Sequence, residues 1–233
     1  MNEPVFIFDM DGTLTPSKQI IDKDFYEFFF SFCESHSVSI VSGADYKQIV
    51  KQLGGEILSE CEAVFPCSGN EERFLGEVLA SKPWVPSERL ITHLAALCDA
   101  SAYPIKLGNH IELRMGMLNF SIVGRPASLE DRDMYKTWDR EYKERAACAA
   151  YVNTKFGGLN AVVAGETGID IFPKGKDKSQ IIKNKYYRDR QTIFFGDSIF
   201  PNGNDYTIAL ACHKYHCVRN WKDTQSILAA EYL

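Results

Sequence analysis

Short continuous apolar runs alternate with helix-period segments along the first part of the chain. Val5-Phe6-Ile7-Phe8 is rich in aromatic and β-branched side chains, which predicts a short strand buried on both faces. Val38–Val41, Glu62–Cys67 and Gln191–Phe195 read as further strands. Asp24–Glu34 and Tyr46–Leu53 read as helices packed on the sheet, the second with Asp45 as its N-cap. Strands alternating with helices predict a Rossmann-like core with a parallel sheet.

The texture changes near Lys82, where Pro83 and Pro86 flank Trp84 and Ser87 caps a helix reaching about Ala100. His110–Arg114 and Met117–Ile122 then alternate with period two and predict a hairpin turning at Met115-Gly116. Leu118, Phe120 and Ile122 share one face. Asn119, Ser121 and, if the strand continues, Arg125 share the other. Ser128 to Asp131 forms a capping-box pattern opening a helix predicted to reach about Phe156, with Arg132 in its first turn. Asn160–Gly165 and Gly168–Phe172 read as strands returning to the core, and Lys178 opens a helix predicted to reach about Arg188. The expected architecture is a core of residues 1–81 and 173–233 with an inserted α/β cap of residues 82–172 built on an antiparallel sheet.

Composition narrows this picture modestly. The 45% hydrophobic fraction over 233 residues allows a sizeable core. A net charge of −5 gives no overall pull on nucleic acid, so an anionic ligand needs local basic residues. Neither a signal peptide nor a run of membrane-spanning length is visible. Seven cysteines without a Cys-x-x-Cys pair predict reduced, mostly buried thiols and a cytoplasmic setting. Cys212-His213-Lys214-Tyr215-His216-Cys217 offers four zinc-type ligands at spacings unlike structural zinc sites, so a loop with buried thiols is expected.

The chemistry concentrates at the end of the first strand. Asp9 and Asp11, followed by Gly12-Thr13, project where open parallel sheets bind ligands. Two adjacent carboxylates need a cation or a shared proton, and Mg²⁺ accepts a few carboxylate oxygens together with water and phosphate. One carboxylate can attack phosphorus while the other moves a proton. An Asp-Gly turn or a calcium loop are plainer alternatives, although the loop's closing Glu is due where Ile20 stands. Asp197, just past another apolar strand, is a candidate third carboxylate or an N-cap. Ser42 ends a strand, Lys178 sits in a lysine-rich run, and the hairpin arginines line a face that is either solvated or built for phosphate.

Asp9-Met10-Asp11-Gly12-Thr13 behind its strand resembles motif I of the haloacid dehalogenase (HAD) superfamily of phosphohydrolases and phosphomutases, with Ser42 and Lys178 at motifs II and III. Glu112–Asn119, Val123-Gly124-Arg125, Phe172–Lys178, Phe194–Asp197 and Pro201–Tyr206 look like the eukaryotic-type phosphomannomutases, a HAD family, through nearly the whole chain. The resemblance implies Asp9 as nucleophile, Asp11 as general acid/base, and Ser42 and Lys178 at the transferring group. It places Mg²⁺ on Asp9, Asp197 and the Asp11 carbonyl, supported by Asn204 and Asp205. Lys18, Arg114, Asn119, Arg125, Arg132 and Asp170 are the implied substrate contacts, for a phosphosugar with a hexose bisphosphate as activator. A homodimer through the cap is a further expectation.

The chain departs from the family pattern at Lys18, where an Arg is usual, and at Met115-Gly116, where Asn-Gly is usual. It also carries Gly168 for a ligand-contacting Ser and Ser42-Gly43 for Gly-Gly. Two alternatives to a mutase therefore stand: a sugar-phosphate phosphatase and a non-catalytic phosphosugar-binding protein.

Overall fold

The computed structural model describes residues 3–233. In chain order the elements are β1 (Val5–Phe8), α1 (Lys23–Ser35), β2 (Ser37–Val41), α2 (Tyr46–Leu53), α3 (Gly55–Glu60), β3 (Ala63–Phe65), β4 (Glu71–Phe74) and β5 (Glu77–Ser81). Then come α4 (Glu88–Ala100), β6 (Leu107–Arg114), β7 (Met117–Arg125), α5 (Leu129–Tyr142), α6 (Glu144–Lys155), β8 (Leu159–Ala164) and β9 (Gly168–Pro173). The last elements are β10 (Thr192–Gly196), α7 (Tyr206–Ala211), β11 (Lys214–Cys217) and α8 (Trp221–Glu231).

A seven-stranded sheet runs in the order β11-β10-β1-β2-β3-β4-β5, and β1 lies parallel to both of its neighbours. All four β1 residues are buried, as the unbroken apolar run requires. Asp22 caps α1 by accepting from the Asp24 and Phe25 amides. Phe25, Phe29 and Phe32, spaced four and three apart, then face the sheet together. Phe29 meets Phe8 edge-on at 5.1 Å between ring centres, and Phe32 meets Phe6 at 5.0 Å. Truncating such a buried ring to Ala costs about 3–5 kcal/mol. This packing fixes β1, and so fixes where Asp9 emerges.

A second, four-stranded antiparallel sheet has the order β6-β7-β9-β8. Its apolar face buries Leu118, Phe120, Ile122, Ile169 and Ile171 against Leu90, Leu94, Tyr135 and Val152 of the helices. The opposite face carries Asn119 and Asp170, which pair across β7 and β9.

Several expectations need correction. The segments Asn160–Gly165 and Gly168–Phe172 do not return to the first sheet. They complete the second one, because Ala161, Ile169 and Ile171 share its apolar cluster. The helix expected from Ser128 to Phe156 breaks at Lys143, whose φ of 54° is left-handed. Asp139 stabilises the break by accepting from the Arg145 backbone N–H at 2.7 Å and its Nε at 2.8 Å. The segment after Asp177 is two short 3₁₀ helices, Lys178–Lys183 and Lys185–Tyr187, rather than one α-helix. Cys212–Cys217 is mostly the edge strand β11 instead of a loop, and Cys217 is exposed. There His213 Nδ1 bonds the Thr192 backbone N–H and His216 Nε2 bonds the Tyr232 hydroxyl. Among the described residues, the group able to hold a metal is elsewhere. No described helix is long and apolar enough to cross a membrane.

Candidate active site

The floor of the cleft forms where β1 and β10 end side by side. Asp9 follows β1, is 4% exposed, and its N–H bonds the Phe195 carbonyl at 2.9 Å. Gly12 then turns the chain with φ of 85°, and a Cβ there would lie 2.6 Å from Asp197 Oδ2. Only glycine satisfies both the turn and the neighbouring acid. Lys178, 1% exposed, donates to Asp9 Oδ1 at 2.6 Å and to Asp205 Oδ1 at 2.7 Å. Ser42 is buried at the end of β2, and its Oγ accepts from the Ala44 N–H at 3.1 Å. That bond leaves the hydroxyl hydrogen free to donate into the cleft.

Asp9, Asp197 and Asp205 each bring a carboxylate oxygen within 4.8 Å of the others. Burial, then the Asp205 charge, holds the Asp9 pKa well above the carboxylate range, and Lys178 opposes them only partly. The same burial and the same Asp205 charge push Asp197 up to about 7. Burial pulls the Lys178 ammonium down, but the Asp205 and Asp9 carboxylates more than offset it and raise its pKa. Asn204 Oδ1 is buried here without a donor. Crowded acids short of positive charge, beside an orphan oxygen acceptor, fit a hard divalent cation. Asp205 has Oδ1 taken by Lys178 and Oδ2 taken by the Ser198 N–H, which suits a supporting place.

The second sheet and α5 form the ceiling. Glu112 accepts from Arg114 Nε and from Arg125 Nε, both at 2.7 Å. Arg125 Nη2 donates to Asn119 Oδ1 at 2.5 Å, and Asn119 Nδ2 donates to Asp170 Oδ1 at 2.7 Å. Arg132 reaches Ser17, Glu166 and Thr167. Arg125 Nη1 and Arg132 Nε are nonetheless buried and lack acceptors. Burial and the Arg114 charge lower the Lys18 pKa, while burial alone outweighs its partners in raising Asp170. One cleft is lined by Asp9, Asp11, Lys18, Ser42, Arg114, Asn119, Arg125, Arg132, Asp170, Asp197 and Asn204. Lys178 and Asp205 lie against it through the contacts above. Ceiling and floor meet where Arg114 Nη1 donates to the Gly43 carbonyl at 2.8 Å.

Sequence reading passed over Glu112, Glu166 and Gln52. Glu112 and Glu166 position the arginines, and Gln52 contacts Asp11. Nothing local marks them, although Glu112 does stand on the same strand as Arg114, two residues before it.

The fold is haloacid dehalogenase-like, as its likeness to solved structures shows. The structure superposes on an IMP-bound mutant of the IMP-nucleotidase from Plasmodium falciparum with a TM-score of 0.64, at 12% identity, over 97% of this chain and 67% of that one. A haloacid dehalogenase-like hydrolase from Bacteroides thetaiotaomicron gives 0.60 at 14% identity, covering 98% and 99%. The family model for eukaryotic phosphomannomutase matches residues 25–232. Phosphomannomutases from Drosophila melanogaster and Dendrobium officinale are 31% and 34% identical. The first alignment covers 97% of this chain and 94% of the relative, the second 88% and 84%. The chain belongs to the eukaryotic phosphomannomutase family.

Proposed function

We propose that this protein interconverts hexose 1-phosphate and hexose 6-phosphate, with mannose as the sugar, through an aspartyl-phosphate on Asp9. Asp9 attacks phosphorus as the bond to the sugar oxygen breaks, and Asp11 gives that oxygen its proton. In the second half-reaction Asp11 takes a proton from the incoming sugar hydroxyl, which accepts the phosphoryl group from Asp9. Lys178 offsets part of the cost of charge on the attacking carboxylate, and Ser42 donates to a phosphoryl oxygen. Asp9, Asp197 and the Asp11 carbonyl, with Asp205 and Asn204 in support, would hold Mg²⁺, which would supply positive charge to offset the transferring phosphoryl group.

One observation carries the mutase reading over a phosphatase. Arg125 Nη1 and Arg132 Nε, on the ceiling of the cleft whose floor holds Asp9, are buried donors without acceptors. A second phosphate satisfies them, and Asp170 and Asn119 lie beside them for the sugar hydroxyls. A bisphosphate that turns over inside the cleft presents either phosphate to Asp9, which accounts for a hexose bisphosphate activator. The test is incubation with Mg²⁺ and mannose 1-phosphate, with and without a hexose bisphosphate, following 6-phosphate and inorganic phosphate together. Isomerised product stimulated by bisphosphate supports the mutase; free sugar with inorganic phosphate alone transfers the assignment to a phosphatase.

A further inference from the structure

Gln52 is a glutamine on the buried face of α2, 1% exposed, and every polar atom of its side chain is used. Its Nε2 donates to Asp11 Oδ1 at 3.1 Å and to Thr15 Oγ1 at 2.8 Å. Its Oε1 accepts from Gln48 Nε2 at 2.7 Å. A carboxylate only accepts, so the amide nitrogen faces Asp11 and the amide oxygen is left to accept from Gln48. Asp11 Oδ1 has a second donor, the Lys18 N–H at 2.8 Å, from a backbone held at φ of 62°. Asp11 Oδ2 has no hydrogen bond among the described residues, and Asp11 lines the cleft.

We infer that Gln52, anchored by Gln48, is the positioning residue that makes Asp11 work through one oxygen. Two donors occupy Oδ1 and restrain the carboxylate plane, so Oδ2 is the atom that carries the proton to and from the sugar oxygen. A general acid acts only within hydrogen-bond reach of the departing atom. A freely rotating Asp11 spends much of its time outside that reach. Gln48 stands half-buried on the rim of the cleft mouth, so the chain of bonds runs from the entrance to the proton carrier.

This inference rests on Asp11 being the general acid/base, and the experiment separates the two. Turnover of mannose 1-phosphate, whose alkoxide leaving group needs a proton, is compared with the pre-steady-state release of p-nitrophenolate from p-nitrophenyl phosphate, a leaving group that needs none. For Gln52→Leu the expected result is a roughly ten- to a hundredfold fall in kcat on the sugar phosphate, with the rate of p-nitrophenolate release within about twofold of wild type. In an Asp11→Asn background the same change should add nothing further on the sugar phosphate, since both act through one group. Gln48→Ala, on the half-exposed rim, should repeat the pattern at roughly two- to fivefold and keeps the test available if Gln52→Leu folds poorly. Thr15→Val, which removes the other Nε2 partner, should leave the ratio of the two substrates unchanged. Equal losses on both substrates, or an additive double variant, would reduce Gln52 to a structural role while Asp11 keeps its own. An Asp11→Asn variant that turns over the sugar phosphate normally would overturn both.

Discussion

Replacing Lys178 with Met removes the ammonium that Asp9 and Asp205 share while keeping most of the buried volume. Each of its contacts, 2.6 and 2.7 Å long, is worth roughly 6 kcal/mol at an effective dielectric near 20 before desolvation is charged against it. Breaking a buried pair from one side typically costs about 3–5 kcal/mol, because the remaining charge is left unmatched. For a chain of this length that lowers Tm by roughly 6 to 20 °C. The loss carries a pH signature. Asp9 already has its pKa raised by burial and by Asp205, and without Lys178 it rises further. The folded variant therefore takes up protons as pH falls and sheds part of the penalty. Thermal melts in EDTA should show a larger deficit against wild type at pH 8 than at pH 5.5, and Mg²⁺ should recover part of it at pH 8. A deficit under about 1 °C at pH 8, or one equal at both pH values, would refute the account of Lys178 as the counter-charge.

Three further outcomes are expected. Arg125→Ala should cut hexose phosphate interconversion roughly ten- to a hundredfold and leave p-nitrophenyl phosphate hydrolysis nearly untouched, since the aryl substrate has no second phosphate for the ceiling; parallel losses would place Arg125 outside phosphate binding. In the metal-free protein Asp197, pushed up to about 7, and Asp9, also raised, bind protons more tightly folded than unfolded. Their stabilising effect is complete at low pH and is lost as pH rises through about 7, so the Mg²⁺-induced rise in Tm should be larger at pH 8 than at pH 5.5. Lys143→Gly relieves an exposed left-handed residue between α5 and α6 and should raise stability by about 0.5–1 kcal/mol in chemical denaturation.

Periodicity made much of the fold legible because burial imposes it. β1 is apolar throughout since both its faces are covered, and β7 alternates since one face meets helices and the other the cleft. The β4–β5 hairpin escaped notice for the converse reason: β5 is an edge strand with Val78 and Leu79 exposed, so no buried face imposes a pattern. The break at Lys143 has neither Gly nor Pro to announce it and depends on the Asp139–Arg145 contact. β8 and β9 went to the wrong sheet because a strand's pattern states that it is buried, not which partner buries it. The cleft residues were readable where acids or arginines stood at strand ends. Gln52 was not, because a polar residue inside an amphipathic helix looks like solvent-facing filler until Asp11 is found beside it.

The most direct test of the central claim follows one phosphoryl group. The enzyme is loaded with a hexose bisphosphate labelled in its phosphates, quenched, digested and mapped by mass spectrometry, and a parallel sample is chased with unlabelled mannose 1-phosphate. The account predicts label on the peptide containing Asp9, and transfer of that label on chase into bisphosphate and 6-phosphate. Label that never appears on Asp9, or that leaves only as inorganic phosphate, would contradict it.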